Sequence, residues 1–229
     1  MKEKISIVMP VYNQAKVIPK IIDSYCKEVI EKLPGSEFIV AEDGSTDGTK
    51  EALAELSKKY PIRLVSGKKR KGYTKAVKDA LKLPKNDVIF FSDSDGEHSP
   101  KDFWKLYIEL ENADIVIGFK ENRKPFYRFF ISRFNNFLIG AMFGLWLKDS
   151  NCGFRVMRKK LVQQVSQDVG TLTYASNAEL AIRAFRKGFK VKEVPVQHFP
   201  APSEVFPVSR MPKVILTELL DLVKLRLQV

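Results

Sequence analysis

The sequence predicts an α/β protein: a mostly parallel sheet with helices on both faces, followed by an amphipathic C-terminal extension. Short apolar runs alternate with helical patterns through the first half of the chain, the signature of a sheet wound by helices. At 229 residues the chain can bury one substantial core, so one domain with appendages is expected rather than two full domains. A composition of 45% hydrophobic and 29% charged residues excludes both a disordered polar chain and a membrane bundle.

The runs at 5–9, 38–41, 62–65, 88–91 and 115–117 read as strands, each short, apolar and bounded by polar or turn residues. Residues 16–32, 49–60, 73–83 and 100–111 read as helices between them. Asp47 precedes the second helical run, and Ser99-Pro100 gives the fourth an N-cap with proline at the first helical position. The second half is less regular. An aromatic stretch at 125–147 leads to a turn-like Asp149-Ser150-Asn151-Cys152-Gly153 and a short strand from Phe154. A helix at 177–187 stops at Gly188, a strand alternates over 189–196, and prolines 200, 202, 207 and 212 punctuate a loop before the last helix. The expected division is a domain at 1–198 and an extension at 199–229.

The formal charge is +12, and its location matters more than its total. Between Phe119 and Lys160, ten basic residues face only Glu121 and Asp149, and six of the sixteen phenylalanines lie between Phe126 and Phe143. Basic and aromatic together, with an amphipathic last helix, suggest contact with an anionic membrane surface; a homo-oligomer interface through the same helices is the competing reading. No run of 18 apolar residues occurs, so a cytoplasmic protein, peripheral on the membrane, is expected. Cys26 and Cys152 lie far apart, outside any zinc or disulfide pattern. Gly67-Lys68-Lys69-Arg70-Lys71-Gly72-Tyr73-Thr74 is a near miss to a phosphate-cradling loop, but Tyr73 replaces the lysine that such a loop requires, which argues against an ATPase. No nucleic-acid recognition module accompanies its basic run, and no nucleic-acid partner is expected.

In an open parallel sheet, ligands bind beyond the carboxyl ends of the strands. Three such ends are polar here: Pro10-Val11-Tyr12-Asn13-Gln14, Glu42-Asp43-Gly44-Ser45-Thr46-Asp47-Gly48-Thr49, and Asp93-Ser94-Asp95-Gly96-Glu97-His98-Ser99-Pro100. Carboxylates at i and i+2 repel each other unless a divalent cation and ligand phosphates resolve the repulsion.

These three segments resemble the pattern of glycosyltransferase family 2, of the GT-A fold. Asp149 to Arg155, Ala178-Glu179-Leu180, Lys187-Gly188 and Glu193-Val194-Pro195 extend the resemblance, over about residues 4–198, to its polyprenyl-phosphate branch, the dolichyl-phosphate mannose synthases. The resemblance implies a nucleotide-sugar donor of GDP-mannose or UDP-glucose type, Mg²⁺ or Mn²⁺, and inverting transfer of a hexose to a polyprenyl phosphate. It implies that Pro10, Tyr12 and Gln14 line the nucleotide pocket and that Asp43 binds the base or ribose. Asp93, Ser94 and Asp95 would serve the diphosphate and metal, with Asp95 catalytic. Glu97, where the branch usually has Gln, adds a third anionic metal ligand, and Lys120 stands where Arg is usual. Arg128 and Ser132, with Arg155, would hold the acceptor phosphate. The usual Arg-x-x-Gly-x-Ser segment is absent: Ala201 stands about where its arginine belongs, which moves that contact, if kept, to Arg210. The alternative reading is transfer to a saccharide or lipid hydroxyl, for which Glu179 is the candidate base; its other reading is a structural carboxylate holding backbone or Arg groups.

Overall fold

The computed structural model describes residues 3–120, 126–199 and 211–229, with the side chains of 126–131 and 211–212 outside the description. Seven strands, β1 (Ile5–Val11), β2 (Glu37–Glu42), β3 (Ile62–Ser66), β4 (Val88–Ser92), β5 (Ile115–Lys120), β6 (Phe154–Arg158) and β7 (Val191–Val196), form one sheet. Their order is β3-β2-β1-β4-β6-β5-β7. β1 and β4 are buried at every residue, which explains why both read as unbroken apolar runs rather than alternating ones. β3 closes one edge and is half exposed, carrying Arg63 and Ser66.

The helices are α1 (Ile18–Tyr25), α2 (Thr49–Lys59), α3 (Tyr73–Ala80), α4 (Phe103–Glu109), α5 (Phe126–Phe143), α6 (Lys159–Val165), α7 (Ser176–Arg186) and α8 (Met211–Arg226). The helix expected at 16–32 begins at Ile18, with Pro19 in its first turn, and its last part widens into a π-helical turn over Cys26–Ile30. The helix expected at 100–111 has tight 3₁₀ turns at both ends, Pro100–Asp102 and Leu110–Asn112. α6 has no counterpart in the sequence reading; it starts at the residue after β6 with no turn signal between them.

β6 runs antiparallel between β4 and β5, with Phe91 opposite Arg155 and Ser92 opposite Phe154. Its start therefore lies beside the carboxyl end of β4, and the Asp93 N–H donates to the Gly153 carbonyl at 3.1 Å. α8 docks through Leu222 and Leu225, both fully buried, and through polar bonds: Asp221 accepts from the Thr173 hydroxyl at 2.7 Å, and Gln228 from that of Thr171 at 2.9 Å. Its polar side thus faces the domain, and Leu216, Leu220, Val223 and Leu227 stay exposed. Among the described residues, no helix is long and apolar enough to cross a membrane.

Candidate active site

The loops after β1 and β2 are laced together. Asn13, left-handed at φ 51°, receives the Thr46 N–H on its side-chain oxygen while its own N–H bonds Ser45 Oγ at 3.0 Å. The Gln14 N–H bonds Thr49 Oγ1 at 2.8 Å. Pro10 is buried in register with Ala41. Asp43 accepts from the N–H groups of Lys71 and Gly72, at 2.9 and 3.0 Å, and so clamps the 67–72 loop over the site. Gly44 has φ 75°, and a Cβ there would overlap the backbone at Lys69 and Arg70, which shows how closely the clamped loop approaches. The clamp puts the Arg70 guanidinium 4.1 Å from the centre of the Tyr12 ring. Pro10, Tyr12, Gln14 and Asp43 are therefore brought together, and Asp43 spends one bond per oxygen on the loop.

Past β4, Ser94 is buried, and Asp93 and Asp95 are half-buried. Tyr73 donates to Asp93 Oδ1 at 2.6 Å and accepts from Asn177 Nδ2 at 2.8 Å. A Cβ on Gly153 would collide with the Asp93 carboxylate, so glycine is needed where the β6 loop crosses it. Burial, reinforced by Asp95, pushes the Asp93 carboxyl up to about 7; Asp95 is raised by burial and by Glu97. Two half-buried carboxylates with this repulsion between them suit a divalent cation. The described residues contain no cluster of three acidic, histidine or cysteine ligands, so donor phosphates would have to complete the shell around Asp93 and Asp95.

Glu97 does not join them. Its carboxylate pairs with Lys120 and with His198 Nε2 at 3.2 Å; burial raises its pKa, but these bonds outweigh burial and hold it well below the usual range. The expectation of Glu97 as a metal ligand and Lys120 as a donor ligand is thus corrected: they neutralise each other, with Lys120 only 10% exposed. Arg155 is corrected as well. It is fully buried and donates to the carbonyls of Cys152, Asn177 (2.8 Å) and Ser150 (3.3 Å), so it builds the 150–153 loop instead of meeting an acceptor phosphate. Glu179 is buried, with Oε2 accepting the N–H groups of Gly170, Thr171 and Leu172 at 2.8–2.9 Å and Oε1 bonded to Arg183 at 2.8 Å. Those bonds make it a structural carboxylate and leave it unsuited to the base role. Ser132 is half-buried next to Asn136, which ties α5 to Lys148 and Ser150. The side chain of Arg128, and Ala201 and Arg210 altogether, lie outside the described residues. Sequence reasoning missed Tyr73, Asn177, Arg70 and His198; only Tyr73 had a visible signal, its place immediately after Gly72.

A mostly parallel sheet flanked by helices, with laced loops past β1 and β2 and a half-buried carboxylate pair past β4, is the GT-A arrangement. The chain belongs to glycosyl transferase family 2, which it matches over residues 6–166. It is 31% identical to an uncharacterized protein of Methanocaldococcus jannaschii, over 81% of this chain and 84% of that one. It is also 31% identical to a dolichol-phosphate mannosyltransferase of Pyrococcus furiosus, over 84% of this chain but only 55% of that one. Among solved structures, glucosyl-3-phosphoglycerate synthase from Mycobacterium tuberculosis with phosphoglyceric acid gives a TM-score of 0.75 at 21% identity, over 96% of this chain and 80% of that one. The same enzyme with Mn²⁺, UDP and glucosyl-3-phosphoglycerate gives 0.73. The expected transfer to a polyprenyl phosphate is corrected: these solved structures hold phosphoglyceric acid and its glucosyl product instead.

Proposed function

We propose that this chain transfers a hexose from a UDP-sugar to an acceptor hydroxyl, with Mn²⁺ or Mg²⁺ held by Asp95 and Asp93. The observation that carries the reading is the half-buried Asp93–Asp95 pair past β4, together with the Tyr12–Arg70 contact past β1. Tyr12 and Arg70 offer a π-face and a cation to a base and its phosphates, and the Asp43 clamp fixes them before donor arrives. Tyr73 orients Asp93 by donating to Oδ1, and Gly153 leaves room for that carboxylate. The cation, when bound, supplies charge neutralisation for the leaving diphosphate. The solved relatives with Mn²⁺ and UDP support this donor and metal.

The test is calorimetry of UDP with and without Mn²⁺, alongside transfer from UDP-glucose, for the native chain and Asp95→Ala. UDP binding should require the metal, and the variant should lose on the order of 10²–10³-fold in transfer, as when one transition-state charge partner is removed. Metal-independent UDP binding, or full transfer by the variant, would refute the reading.

A further inference from the structure

The donor site leaves one large concavity unused. Between α3 and the 167–170 turn lies an open groove of about 560 Å³, lined by Lys71, Lys75, Lys78 and Lys82. Lys75 and Lys78 stand one turn apart on α3, with Lys71 just before the helix and Lys82 just after it, and such like charges repel unless something anionic sits among them. Asp79 is the only acid in the lining, shared between Lys71 at 2.7 Å and Lys82 at 3.4 Å. Lys78 donates to the Val169 carbonyl at 2.8 Å. Lys75 is exposed and has no ion pair or hydrogen bond among the described residues. The opposite wall, formed by Gln167, Val169 and Gly170, carries no charge. Tyr73 lines one end of the lysine row and bonds Asp93, so a single side chain links the groove to the carboxylate pair.

Building on the hydroxyl-acceptor reading, we infer that this lysine groove binds the phosphate of a small phosphorylated acceptor and so presents its hydroxyl to the donor site. The lysines flank and line α3, whose eight residues span about 12 Å along the axis. That length suits a small phosphorylated acid better than a single ion. Lysines, as strongly hydrated point charges on flexible stems, can follow a phosphate without demanding one bidentate geometry.

The experiment follows the backbone amides of Val169 and Gly170 by NMR, with the chain saturated by UDP and Mg²⁺, during titration with inorganic phosphate and with 3-phosphoglycerate. Both probes should shift these amides saturably, 3-phosphoglycerate more tightly, and the double variant Lys75→Gln/Lys82→Gln should bind it at least tenfold more weakly. In transfer assays the same variant should raise KM for a phosphorylated acceptor more than it lowers kcat. Unshifted amides in the native chain overturn the inference. So does unchanged affinity in the double variant, or binding of inorganic phosphate without 3-phosphoglycerate. Failure of UDP to bind would instead sink the donor reading, and the phosphate titration run without UDP would still report on the groove.

Discussion

At the scale of single residues, Gly153 makes the sharpest demand. Its hydrogen occupies space that a methyl group would take from the Asp93 carboxylate, so Gly153→Ala must push that carboxylate away from Tyr73 or lift the β6 loop. A displacement of about 1 Å at a catalytic group costs roughly 100-fold in rate. Steady-state transfer from UDP-glucose should show that loss, with a melting curve confirming that the variant is folded; a native rate would mean that the loop and carboxylate are not coupled. The same residues show how far the site can be read from sequence. Asp93 and Tyr12 directly follow strands and Asp95 lies two residues further on, the positions where ligands meet a parallel sheet, so their placement was legible. Glu97, Lys120, Arg155 and Glu179 look equally chemical in sequence, yet their charge is spent on partners that local spacing does not reveal. His198 lies 101 positions from Glu97, and Asn177 lies 22 from Arg155.

At the scale of elements, α8 carries a half-buried acid with no partner among the described residues. Both oxygens of Glu218 are buried and unbonded, and burial, with Asp221 and Glu179 nearby, pushes its carboxyl from 4.5 up to about 7. Arg183 engages Glu179 and Lys224 engages Asp221, so neither cation is given to Glu218. The folded chain therefore keeps a proton that the unfolded chain releases above about pH 4.5, and stability from this group falls as pH rises through 7. Glu218→Gln should stabilise the protein by about 1 kcal/mol at pH 8, allowing for partial solvent screening, and change little at pH 4.5. Denaturant melts at the two pH values measure this, and an equal shift at both would count against it. Element positions were legible where periodicity was strong: the strand expected at 88–91 and the helix expected at 49–60 match β4 and α2 to within one residue. α6 was not legible because it continues from β6 without a break. The outward side of α8 was not legible either, because Asp221 and Gln228 turn inward to partners on other elements.

At the scale of the whole molecule, the antiparallel strand β6 separates the parallel group β3-β2-β1-β4 from the pair β5-β7. The first four strands are complete by Ser92, whereas β6 must come back from Arg158 to pair with Val88. Closing so long a loop is entropically unfavourable until its contacts form, and contacts of this range slow folding. Folding of this chain accordingly has an order. The amino-terminal strands gain protection first, and the Asp93 carboxylate meets Gly153 only when the sixth strand docks. Pulse-labelled hydrogen exchange should find the amides of Ile7 and Ile39 protected before those of Val156 and Met157, and simultaneous protection would contradict this order. A chain emerging from the ribosome would thus hold its first two strand-end loops laced together, with Tyr12 and Asp43 in place, for as long as it takes to make the residues that close over Asp93.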